Sequence, residues 1–208
     1  VYVAINTYPQ AGNITPWYNA IDTAARIGVD AVILADIGLL DYAQKKHPNL
    51  RRHLSVQASA SNPEAINFYK KSFDIQRIVL PRVLTVKEIA DLISEIDVET
   101  EVFAFGGMCV MAEGRCSLSS YITGQSPTMN GVCSPASHVA YENKRGKLVS
   151  KLGDFTINSF PANEAAGYPT LCKGRFSGPD GDPSYLFEEP TSLNVLALLP
   201  ELMDIINS

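Results

Sequence analysis

Four cysteines, Cys109, Cys116, Cys133 and Cys172, are the residues of this chain best suited to chemistry. They follow one another as C-x6-C, then after 16 and 38 intervening residues. Structural zinc sites usually carry paired cysteines two to four residues apart, and no such pair occurs. Iron-sulfur clusters draw thiolates around a larger cube and tolerate wider, less regular spacing. Spacing alone therefore leaves three readings open: cluster ligation, zinc, and unrelated buried or reactive thiols. Glycines flank the cysteines, with Gly106-Gly107 before Cys109, Gly114 before Cys116, and Gly131 and Gly174 near the other two. Glycine lets backbone amides approach a sulfur-rich anion closely, or simply makes a turn.

A second constellation is made by Asn6, Asp36, Gln57 and Arg82, which fall at or just past the ends of β-branched runs. In a parallel α/β barrel the C-terminal strand ends face the active site, which makes these four candidate substrate-binding residues. Each could instead cap the helix that follows. Arg82 suits a substrate carboxylate, because a guanidinium offers two parallel donors. The three histidines, His47, His53 and His138, form no pattern with a nucleophile. No Walker loop, dinucleotide fingerprint or Ser-His-Asp order follows a strand, so the catalytic residues remain unassigned.

The elements that must hold these residues alternate. Strand-like runs begin at Val1, Ala31, His53, Arg77 and Glu101, 22 to 30 residues apart, and helical periodicity fills Trp17 to Ile27, Gly38 to Lys46, Pro63 to Lys71 and Val86 to Ile96. Asn62-Pro63 offers an N-cap with a first-turn proline, Thr15-Pro16 repeats it, and Thr85 with Glu88 has the capping-box spacing. This rhythm predicts an α/β fold with a parallel sheet, specifically an incomplete (β/α) TIM-type barrel, since eight such units make about 250 residues. Three regions are expected: barrel units over 1–106, a cysteine-rich, irregular segment over 107–182, and a return to the barrel with a terminal helix over 183–208. The chain starts without Met inside a strand, which suggests an internal fragment of a longer protein.

Composition narrows the function classes. At 208 residues and 46% hydrophobic content, one buried core is available without disulfides. No apolar run approaches the ~20 residues of a membrane span, and the start, Val1-Tyr2-Val3-Ala4-Ile5, lacks a charged n-region and a cleavage site, so a cytoplasmic protein is expected. The net charge is −5 and the 17 Lys and Arg residues are scattered, which disfavours nucleic acid as a partner.

The run GGMCVMAEGRCSLSSYITG at 106–124, with SVQASASNPEAINFY at 55–69, RIVLPRVLTVKEI at 77–89, NGVCSPA at 130–136, GYPTLCKGR at 167–175 and EEPTSLNVLALLPEL at 188–202, resembles the collagenase-like peptidase family, most closely its UbiU branch. The resemblance implies a 4Fe-4S cluster held by Cys109, Cys116, Cys133 and Cys172. It further implies an oxygen-independent hydroxylase subunit of ubiquinone biosynthesis, paired in a heterodimer with a UbiV-like protein, acting on a ubiquinone precursor with prephenate as oxygen donor. Members of the same family hydroxylate tRNA or rRNA, and others are described as peptidases. No nucleophile-base pair or zinc motif supports peptide cleavage here.

Overall fold

A computed structural model of the chain describes all residues except 110, 112–114, 162, 166, 179, 180 and 208. Gly114 thus lies outside the described residues. The chain divides into two compact units, 1–105 with 194–208, and 106–193.

The first unit is built on β1 (Tyr2–Ile5), β2 (Ala31–Leu34), β3 (Arg51–Leu54), β4 (Arg77–Val79) and β5 (Glu99–Glu101), which pair in parallel in sequence order. Four helices alternate with them: α1 (Thr15–Ile27), α2 (Ile37–Lys46), α3 (Pro63–Phe73) and α4 (Val86–Ile93). Sequential order matters here. Parallel crossovers are right-handed, so an unreversed strand order returns every helix to the same sheet face. The packing agrees: Ile21 of α1, Leu39 and Leu40 of α2, Ile66 of α3 and Ile89 and Leu92 of α4 share one core with Val32, Leu34, Leu54 and Ile78. Each fully buried Leu or Ile in that core contributes about 1.5–3 kcal/mol. Leu202, on the C-terminal helix Leu199–Asn207, joins the same core. The sheet is an open one of five strands, so the fold is a mixed α/β unit and its closure into a barrel is not part of the observed architecture.

Local signals fix the helix starts. Asn62 accepts from Ala65 N at 2.8 Å ahead of Pro63, and Thr85 and Glu88 form the reciprocal capping box. For α1 the cap falls on Ile14 without a side-chain bond, one residue before the expected Thr15. At the N-terminal edge of the sheet, Arg52 is 2% exposed and its guanidinium donates to the carbonyls of Leu50, Pro48, Phe73 and Asp74 and to the Asp74 carboxylate. It clamps the end of α3 to β3.

The second unit departs from the expected irregular segment. Its centre is an antiparallel meander of Val139–Lys144, Lys147–Leu152 and Phe155–Pro161, with a register irregularity between Ser150 and Lys151. Leu152, Ile157 and Phe160 supply its buried apolar side. Short helices Leu118–Thr123 and Pro127–Asn130 precede the meander, and a 3-10 turn, Leu171–Lys173, follows it. Among the described residues no helix is long and apolar enough to cross a membrane.

Candidate functional site

The four cysteines all lie in the second unit, none in a disulfide; Cys133 is exposed and the others are half-buried. Their segments are tied to one short stretch, residues 168–173. Lys173 Nζ donates to the carbonyl of Met108, which sets the Cys109 loop beside the Cys172 turn. Gly107 permits this approach, because a Cβ there would stand 3.1 Å from Pro190 O and 3.4 Å from Lys173 Cε. The helix after Cys116 packs on the 3-10 turn that carries Cys172, and Ser120 Oγ donates back to Cys116 O at 3.2 Å. Next to Cys133, Ser134 Oγ donates to Pro169 O at 2.6 Å, and Tyr168 OH donates to Ser134 O at 2.8 Å.

Electrostatics report the same gathering. Burial pushes the Cys172 thiol above its ordinary range, the Lys173 ammonium offsets part of that, and Cys133, Cys109 and Cys116 each lie near enough to raise it further. Among the described residues no three His, Cys, Asp or Glu side chains are arranged to hold a single metal ion, so the four thiols form a looser set. The flanking glycines have steric and conformational jobs. Gly131 is a left-handed helix terminus at φ +78°, and a Cβ on Gly174 would meet the Phe176 ring at 2.6 Å.

The strand-end residues lie in the first unit. Asn6 and Gln57 share a polar cluster around Ser55: Asn6 Nδ2 donates to Ser55 Oγ at 3.1 Å, which also accepts from Gln57 N at 3.2 Å, and Tyr8 OH donates to Gln57 O at 2.8 Å. Gln57 Oε1 is buried without a hydrogen bond in the structure. Asp36 caps α2, accepting from Leu39 N at 3.0 Å, and Arg82 lies over the Phe103 ring at 3.5 Å. Ser55 and Tyr8 were not among the expected residues; a serine directly after a strand is the signal that could have marked the first.

The histidines stay outside both groups. His53 is fully buried on the sheet face opposite the helices, edge-on to Tyr2, with both ring nitrogens unpartnered; burial first, then Arg77 and Arg51, press it toward the neutral form. His47 Nε2 meets Asp22 Oδ1 at 2.6 Å, and Ser137 and His138 pair in the second unit at 3.0 Å.

A one-sided parallel α/β unit, together with a second unit that ties four cysteine segments to one turn, defines a cysteine-bearing α/β protein. The chain belongs to peptidase family U32, whose sequence profile matches residues 1–207. It is 33% identical to the tRNA hydroxylation protein P of Haemophilus influenzae over 78% of this chain and 35% of that protein. It is 29% identical to an uncharacterized protease of Methanocaldococcus jannaschii over 100% of this chain and 45% of that one. With the 23S rRNA 5-hydroxycytidine C2501 synthase of Escherichia coli it shares 30% identity over 72% of this chain and 22% of the synthase. The chain thus spans less than half the length of these relatives.

Proposed function

We propose that this chain is the cysteine-bearing part of an RNA nucleobase hydroxylase, with Cys109, Cys116, Cys133 and Cys172 as ligands of a 4Fe-4S cluster. The observation that carries the reading is the convergence of all four cysteine segments on residues 168–173, with Cys172 in the field of the other three thiols. Thiolate-only donor sets suit iron-sulfur clusters, and such a cluster supplies one-electron redox chemistry when bound. The substrate class comes from relatives named for tRNA and rRNA hydroxylation. Asn6 and Gln57 are the substrate contacts in this reading: a base's amino or imino hydrogen would satisfy the orphan Gln57 Oε1. Arg82 and Asp36 border the same strand-end region in sequence and serve as further candidates.

A second reading is favoured by the sequence resemblance at the four cysteines. In it the substrate is a ubiquinone precursor ring, the partner a UbiV-like protein and the oxygen donor prephenate. One experiment separates them. The gene is deleted and complemented, and hydroxylated nucleosides and anaerobic ubiquinone are measured in the same cells. Loss of a hydroxylated nucleoside with unchanged ubiquinone supports the first reading, and the reverse supports the second. Full-length protein that carries no iron after anaerobic purification and reconstitution would overturn both.

A further inference from the structure

The meander contains a turn whose residues work against their own fold. Its first two strands are joined by Arg145-Gly146, both in the left-handed region at φ +49° and +73°, as a type I′ hairpin requires. Asn-Gly or Asp-Gly is the favoured pair there, because an L residue with a long side chain is strained at positive φ. Lys144 and Lys147 stand directly opposite each other in the register, and like charges across a strand pair repel. Lys144 is held by Glu142 at 2.8 Å, and Lys151 binds the other Glu142 oxygen at 2.7 Å. Arg145 and Lys147, both exposed, make no ion pair among the described residues. Three cations therefore crowd one exposed tip where conformation and Coulomb repulsion both oppose them. Local choices that contradict the fold mark function.

The hairpin is also connected to the segment that gathers the cysteines. Tyr141, on its first strand, donates through its hydroxyl to Gly167 O at 3.2 Å, next to the 168–173 stretch. We infer that this hairpin is a phosphate-gripping arm for RNA, with Arg145 and Lys147 contacting the backbone of the strand presented to the cysteine-bearing unit. The inference rests on the RNA reading above. Phosphodiester fits the tip better than a small anion, because Arg145 and Lys147 are both exposed, one on the turn and one directly after it. A polyanion strand can meet them in series.

The test uses the full chain and the double substitution Arg145→Asn with Lys147→Thr. Asparagine favours the left-handed turn position and threonine favours a strand, so the variant should fold at least as well as the parent, with a raised melting temperature for the second unit. Binding of bulk tRNA is followed by fluorescence anisotropy from about 50 to 200 mM salt. The variant should bind roughly tenfold more weakly at the low end, with the salt slope reduced by about 1.4, two contacts at about 0.7 each. Its iron content should match the parent's. Parent binding with no change in the variant would overturn the arm and spare the RNA reading. No binding by the parent would overturn both. Competition by polyglutamate or anionic vesicles as strong as that by RNA would assign the tip to a different partner and overturn the proposal.

Discussion

Replacing Ser134 by alanine should loosen the gathering of the cysteine segments without touching a thiol. The hydroxyl is buried, with the residue 2% exposed, and it donates to Pro169 O at 2.6 Å. Alanine keeps the backbone and nearly the volume, so the cost is the bond to Pro169 O, the longer one to Thr170 Oγ1 at 3.4 Å, and one carbonyl left without its donor. That amounts to about 1–3 kcal/mol. Tyr168→Phe is the comparison. It removes the bond to Ser134 O, but Tyr168 is 58% exposed and water can reach the site, so about 0.5–1 kcal/mol is expected. Because both bonds meet at residue 134, the double variant should depart from additivity by about 0.5 kcal/mol or more. The single tryptophan, Trp17, lies in the other unit, so its fluorescence does not report this change. Hydrogen exchange of the meander amides and scanning calorimetry do. Iron retained after anaerobic reconstitution should fall in Ser134→Ala more than in Tyr168→Phe. A Ser134→Ala protein within about 0.5 kcal/mol of the parent and with full iron would refute the claim that this bond positions Cys133 against Cys172.

Three further outcomes are expected. Alanine at Cys109, Cys116, Cys133 or Cys172 should each abolish the broad brown absorbance and most bound iron, and a variant that keeps both is not missing a ligand. Arg52→Met should cost roughly 3 kcal/mol, because the buried Leu50 and Phe73 carbonyls lose their donor, whereas Asp74→Asn at the exposed end should cost under about 1; equal losses in chemical denaturation would make the ion pair the dominant feature. Glu142, held by Lys144 and then Lys151, titrates at about 2, below its usual 4.5. Its contribution is complete above 4.5 and is lost as the pH falls through about 2, so Glu142→Gln should show a shallower acid loss in melting temperature across that window.

Where chemistry is local, the sequence was readable. The Asn62 cap and the Thr85–Glu88 box were visible because a cap and its target lie three residues apart, and the structure has both. Strand limits moved where tertiary contacts decided them. The third strand was expected from His53 and begins at Arg51, because Arg52 turns inward to a carbonyl clamp that a basic pair does not advertise. The fifth was expected over 101–105 and lies at Glu99–Glu101, where Glu99 and Glu101 bind Arg77 across the pair. The terminal helix expected within 183–208 starts only at Leu199, after a 3-10 turn. The meander was not expected, because Arg145-Gly146 lacks the Asn-Gly or Asp-Gly signature that marks a two-residue hairpin. Of the candidate site, the cysteines stood out by type, but their ties through Lys173, Ser134 and Tyr168 join residues 34 to 65 positions apart and have no local signature.

Those separations also bear on the order in which the molecule assembles. The meander is a run of hairpins joined by tight turns, and hairpins close in about 1–10 μs. The bond from Lys173 to Met108 closes a loop of 65 positions, so its entropy must be met before it returns anything. The thiols of Cys109 and Cys172 therefore become neighbours only after the meander between them has formed. On the proposed cluster reading, iron would meet scattered thiols early in folding and the gathered cysteines only once the sheet is made. A slow hairpin, produced by substitutions at the 145–146 turn, would lengthen the interval in which the thiols are open to oxidation, and on the proposed cluster reading would lower iron loading without altering any of the four cysteines.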